Sequence, residues 1–212
     1  VTDVNDNAPV FTDGATLTVN FAENSTDPVT TLAATDADAG DTVTYTLKDE
    51  LDADSFNLVA GVLTFKEAPD FETKSSYSIT AVASDGVNEV NQAITVTITN
   101  VNEAPTITST TTTFSAAENQ TVIPDATITA FDVDAGDTLT FSVLSDVLTI
   151  DPDTGVLSFV SAPNFETTTE AITATVTVTD AAGLFDTEEV TVTVTDVNDN
   201  PPVFADVNYD IT

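Results

Sequence analysis

Apolar and polar residues alternate along much of this chain. In "AITVTITN", Ile94, Val96 and Ile98 share one parity while Thr95, Thr97 and Thr99 share the other. "EVTVTVTD" repeats the pattern with Val190, Val192 and Val194. A period of two carried by β-branched residues predicts half-buried antiparallel strands. Similar runs follow one another, separated by Gly, Asp, Asn or Pro turns, and no helical period appears. About seven such strands per hundred residues predict a Greek-key β-sandwich. Its core is expected to hold small aliphatics with Phe21, Tyr45, Phe56, Phe65, Phe71 and Tyr77.

Laid against itself, the chain repeats. "DVNDNAP" at Asp3 recurs as "NVNEAP" at Asn100 and as "DVNDNPP" at Asp196. "FAEN" recurs as "AAEN", "TDADAGDTVTYTL" as "FDVDAGDTLTFSV", "APDFET" as "APNFET", and "SITAVASDG" as "ATVTVTDAAG". The offset runs from 94 residues (Asp70 to Asn164) to 97 (Asp3 to Asn100). Such a period marks tandem copies of one domain. The expected division is a linker from a preceding copy at 1–7, one repeat at 8–102, a second at 103–200, and the start of a further copy at 201–212. The chain begins on Val1 and contains no Met, so it reads as an excerpt from something longer.

Composition narrows the partners. Lys48, Lys66 and Lys74 are the only basic residues among 212, against 36 acidic ones, for a net charge of −33. Nothing here could neutralise phosphates, which excludes nucleic acid and anionic lipid surfaces; cations are the natural partners. No apolar run is long enough to span a membrane, so no direct membrane insertion is expected. Cys, His and Trp are absent. Disulfides, nucleophile–imidazole pairs and His-based metal sites are therefore impossible.

The acids at repeating positions sit where strands end, and in a sandwich alternate strand ends lie at opposite poles. The ordered set of "DVNDNAPVF", "AEN", "DADAG", "DFE" and "ASDG", met twice in nearly one register, resembles tandem cadherin repeats, most closely bacterial cadherin-like domains of large surface adhesins. The resemblance covers essentially the whole chain. It implies an all-β chain of two tandem seven-stranded Greek-key β-sandwiches, cadherin- or immunoglobulin-like, joined end to end. It also implies up to three Ca²⁺ at each junction between repeats. At the middle junction the implied ligands are Glu23, Asp70 and Glu72 from the first repeat, Asn100, Asn102 and Glu103 from the linker, and Asp132, Asp134 and Asp180 from the second. Asn5, Asn7, Asp36, Asp38 and Asp85 would form half of the first junction, and Glu118, Glu166, Asp196, Asn198, Asp199 and Asn200 half of the last. Departures from the pattern are a middle linker one residue shorter than its siblings, Asn100 and Glu103 where they have Asp, and Asn164 where the first repeat has Asp70. Two or three ions at that junction are both open.

Other readings of the same acids are weaker. A purely solvated acidic surface explains the total charge but not its repeated positions. "DADAGD" and "DPDTGV" start like EF-hand loops, but Gly40 and Gly155 come one place early and the twelfth positions are Leu47 and Ala162. "DPDTG" is expected to be a hairpin turn. A glycosidase needs two differently tuned carboxyls in one cleft, and pairs recurring at every junction do not provide that; no catalytic residue is assigned. The implied function is a calcium-binding structural and adhesive repeat, extracellular or on a cell surface, and bacterial from its Arg-free, Thr-rich composition. Its partners would be calcium and the neighbouring repeats of its own chain. The alternative is a module binding glycans or another cell-surface protein, though the lack of Trp removes the usual sugar platform. The same lack excludes the Trp-anchored strand exchange of vertebrate cadherins.

Overall fold

A computed structural model describes residues 4–38, 40–168 and 170–203. Asp3, and most of the segment expected to open a further copy (204–212), lie outside them. The chain divides into two compact units, Val1–Asn102 and Glu103–Thr212.

The first unit contains β1 (Val10–Phe11), β2 (Thr16–Ala22), β3 (Thr30–Thr31), β4 (Ala34–Thr35), β5 (Thr44–Leu47), β6 (Phe56–Val59), β7 (Val62–Phe65), β8 (Ser76–Ser84) and β9 (Glu89–Thr99). The second contains β10 (Thr106–Ile107), β11 (Thr113–Ala117), β12 (Val122–Thr127), β13 (Ala130–Phe131), β14 (Thr140–Leu144), β15 (Leu148–Ile150), β16 (Val156–Phe159), β17 (Ile172–Thr179) and β18 (Phe185–Thr195). Each unit has a four-stranded sheet, β2-β9-β8-β5 or β11-β18-β17-β14, and a three-stranded one, β3-β7-β6 or β12-β16-β15. A two-stranded pair, β1-β4 or β10-β13, completes each. β2 runs parallel to β9, and β11 to β18; the other pairings are antiparallel. These are the seven strand paths expected of a Greek-key sandwich, two of them broken. The first path pairs with the second through β1, then changes sheet to pair with the last through β2.

The alternation places the core. Ile94, Val96 and Ile98 of β9 and Val190, Val192 and Val194 of β18 are buried, while the intervening threonines are not. In the first unit they pack with Phe11, Phe21, Phe56, Leu63 and Ile79, and with partly buried Tyr45, Phe65, Phe71 and Tyr77. In the second they pack with Phe114, Ile128, Phe141, Leu157 and Phe159. Phe65 meets Phe56 at 4.3 Å between ring centres and Tyr77 edge-on at 5.0 Å, geometry favoured by aromatic quadrupoles.

The strand-path switch has a polar pin. Gln92 falls on the inward parity of β9, is 1% exposed, and donates through Nε2 to the Gly14 carbonyl at 2.8 Å. "DPDTG" forms the turn between β15 and β16, where Asp151 Oδ1 accepts from the Asp153 and Thr154 amides at 3.1 and 2.9 Å. Among the described residues no helix is long and apolar enough to cross a membrane.

Candidate metal centres

Strand direction puts the repeated acids at two ends of each unit. β8 and β9 pair from Ser84↔Glu89 at one end to Ser76↔Thr97 at the other. At about 3.4 Å per residue these ends stand roughly 30 Å apart.

One end carries Glu23, the residue after β2. Glu23 is 3% exposed. Oε2 accepts from the Phe71 amide and Oε1 from the Val101 amide, both at 2.7 Å. One buried carboxylate thus ties the last turn of the "APDFET" loop to the chain leaving β9. Asp70 accepts from the Thr73 amide and hydroxyl, which lower its pKa from the ordinary carboxylate value. Asn100 Nδ2 donates to Glu72 Oε1 at 3.2 Å. One oxygen each from Glu23, Asp70 and Glu72 lies within 4.8 Å of the others. Asn102, half-buried, follows in the chain.

The second unit rebuilds this end with different letters. Glu118, 3% exposed, accepts from Phe165 and Val197 at 2.8 and 2.9 Å. Asn164 keeps the turn by accepting from the Thr167 amide at 3.1 Å, but it brings no charge. The third carboxylate comes instead from Asp196, grouped with Glu118 and Glu166 within 4.8 Å. The Asp70/Asn100 pair of one unit is therefore the Asn164/Asp196 pair of the other. Asp and Asn trade places, and each group keeps three negative charges. Asn200 Nδ2 reaches Glu166 and Asp199 at 2.7 and 2.8 Å, and Asn119 Nδ2 reaches Asp199 at 2.6 Å. Asn198 is exposed.

The opposite end is built on the "DxDAGD" turns. In the first unit Asp38 is 8% exposed. It accepts from the Asp6 and Asn7 amides at 3.0 and 2.8 Å and from Asn7 Nδ2 at 2.7 Å. The Asn7 amide, then its side chain, hold the Asp38 pKa below the ordinary value. Burial pushes the Asp85 carboxyl up, but hydrogen bonds from Asn88 and Val87 outweigh it and leave its pKa lowered. Asn88, which the sequence did not single out, binds Asn5, Asn7 and Asp85 through one amide group.

In the second unit the Asp134 amide donates to Asp132 Oδ1 at 3.0 Å, and the Glu103 amide to Asp134 Oδ2 at 2.8 Å. Asp180, 6% exposed, accepts from Gly183 and Leu184 at 2.6 and 2.8 Å. Two further acids join these ends, Asp41 and Asp137. Asp41 groups with Asp36 and Asp38, and Asp137 with Asp132 and Asp180, each set within 4.8 Å. The sequence signal was present: both are the sixth letter of the repeated hexamer, passed over because that position reads as turn.

The donor set fits a hard cation. Every candidate ligand offers oxygen, mostly as carboxylate, which suits Ca²⁺. Asp36 Oδ2, Asp132 Oδ2 and Asp137 Oδ2 are buried without any hydrogen-bond partner. Orphaned buried carboxylate oxygens are costly and rare unless something positive completes them. Basic side chains do not. The three lysines all belong to the first unit, where Lys74 pairs with Asp52, and the sequence from Glu103 onward has neither Lys nor Arg.

A family model described as "Bacterial Ig domain" matches residues 102–193. Human Protocadherin Fat 4 is 34% identical over 98% of this chain, which spans 4% of that protein's length. Mouse cadherin-23 EC22-24 superimposes with a TM-score of 0.62 at 26% identity, covering 92% of this chain and 67% of that one. The extracellular domain of Protocadherin GammaB4 gives 0.64 at 26% identity, over 99% and 35%. Fat 4 and cadherin-23 are here human and mouse proteins, whereas the sequence pattern favours bacterial ones.

Proposed function

The chain is a pair of cadherin-like repeats, and on that premise we propose that it is an extracellular, calcium-stiffened segment of a longer adhesive or spacer protein. The repeats are taken to run over 8–102 and 103–200, with the flanking residues shared with neighbouring repeats. Ca²⁺ would be held where one repeat hands over to the next. Glu23, Asp70, Glu72, Asn100 and Asn102 supply oxygens from one side. Glu103, Asp132, Asp134 and Asp180 supply them from the other. The carrying observation is Asp132 Oδ2, a buried carboxylate oxygen without a donor, beside Asp180 in a repeat that has no basic residue at all.

The mechanism is linkage. Without cation, carboxylates about 4 Å apart repel by roughly 1 kcal/mol per pair even in water, and more where solvent is excluded. Bound Ca²⁺ reverses the sign. An ion that binds only the ordered arrangement stabilises it by about 2.7 kcal/mol at a free concentration a hundredfold above its dissociation constant. Extracellular modules often bind at about 10⁻⁴ to 10⁻³ M, so such sites stay empty in a low-calcium cytosol and fill outside the cell. The protein's own part is to hold the oxygens ready. Glu23, Glu118 and Asp38 are fixed by backbone amides distant in sequence, and Asp180 is oriented by the amides of its own turn. The "Bacterial Ig domain" match over 102–193 supports a bacterial source.

X-ray scattering in millimolar Ca²⁺ and in EDTA tests the stiffening. The expected result is a longer maximum dimension and a narrower distance distribution in Ca²⁺. Identical curves in the two conditions would refute it.

A further inference from the structure

We propose that Asp137 is itself a calcium ligand, the sixth-position carboxylate of the "DVDAGD" turn closing on the same ion as Asp132 and Asp180. The inference rests on the calcium reading above and extends it to a residue that reading does not need.

The local chain explains how Asp137 gets there. Gly136 has φ +100°, which a side-chain-bearing residue adopts poorly, and it reverses the chain after Asp134. The Asp137 amide then donates to the Asp134 carbonyl at 3.3 Å. Its carboxylate comes within 4.8 Å of those of Asp132 and Asp180. If Asp137 served only the turn, its oxygens would be expected to face the turn's own amides, as those of Asp151 do. Instead Asp137 Oδ2 is buried with no hydrogen-bond partner, and so is Asp132 Oδ2. A turn alone is satisfied by Asn or Ser at this position. An acid placed against Asp132 and Asp180, with no basic residue in the repeat, is an arrangement that a bound cation relieves.

All three oxygens belong to one repeat. This ion is therefore gripped by the second repeat on its own, before any completion from a neighbour.

The test uses the whole chain with Asp137→Asn, and Asp153→Asn in the exposed β15–β16 turn as control. Calcium titration by calorimetry and thermal unfolding in EDTA and in Ca²⁺ are compared. Asp137→Asn should weaken one binding step at least tenfold. It should raise the midpoint in EDTA, because a repelling charge is gone, and shrink the rise that Ca²⁺ produces. Asp153→Asn should change none of these. If the parent binds and Asp137→Asn binds identically, or if the variant lowers the midpoint equally with and without Ca²⁺, Asp137 is not a ligand. A parent that binds no Ca²⁺ would overturn the calcium reading and this inference with it.

Discussion

Gly155→Ala is expected to cost the second repeat about 3 kcal/mol or more, a large share of what an ordinary domain has to lose. Gly155 closes the β15–β16 turn at φ +68°, and a Cβ there would sit 2.1 Å from the Ile128 carbonyl oxygen. That oxygen is backbone and cannot swing aside. The Ile128 amide is also bonded to the Gly155 carbonyl at 2.8 Å, so retreat of the turn breaks the contact joining the two strands. Strain at positive φ adds about 1 kcal/mol. The first repeat contains the same device at Gly61, where the Leu32 amide donates to the Gly61 carbonyl and a Cβ would meet the Leu32 oxygen at 2.9 Å. Gly61→Ala should therefore be milder, about 1–2 kcal/mol. Urea unfolding of both variants checks the ranking. Equal losses, or none, would mean the turns relax freely.

Glu23→Ala is expected to destabilise the first repeat by about 2–4 kcal/mol in EDTA, where calcium plays no part. Two backbone amides, those of Phe71 and Val101, lose a charged acceptor at 2.7 Å, and hydrogen bonds to charged groups contribute about 1.5–3 kcal/mol each before solvent repair. Glu23→Gln keeps one good acceptor and should cost roughly half as much. Denaturant unfolding of the two variants in chelator is the measurement. A penalty seen only in Ca²⁺ would make Glu23 purely a ligand. The expected persistence in EDTA makes it a structural peg as well as a proposed ligand. Asp137→Asn, whose sign should invert in chelator, is the opposite case.

The long strands were legible because their inward and outward positions differ in kind. β9 and β18 alternate Val or Ile with Thr over most of their length, and burial follows that parity residue for residue. The broken first and second strand paths were not legible. β1, β3, β4, β10 and β13 are two residues each, too short for any period to register. One clue was present: Gln92 is a polar residue on the core parity of β9, and it turned out to pin the switch at Gly14. Of the candidate ligands, those fixed by single letters, such as Glu23 and Asp38, lie where strand polarity required. The exchange of Asp70/Asn100 for Asn164/Asp196 was hidden, because compensation between loops far apart in sequence appears only when both reach one end of the sheet. Asp41 and Asp137 were hidden for a different reason. Their hexamer explains itself as a turn, and for Asp137 only burial without a donor sets it apart from an acid that merely shapes a loop.

Calorimetric calcium titration of the whole chain, beside the same titration of Asp134→Ala, tests the metal assignment most directly. Asp134 is 8% exposed and neighbours Asp132 and Asp137 on one turn. The parent should bind saturably in the range of about 10⁻⁴ to 10⁻³ M, and the variant should lose the tightest step. Superimposable isotherms, or heats of dilution alone from the parent, would contradict it.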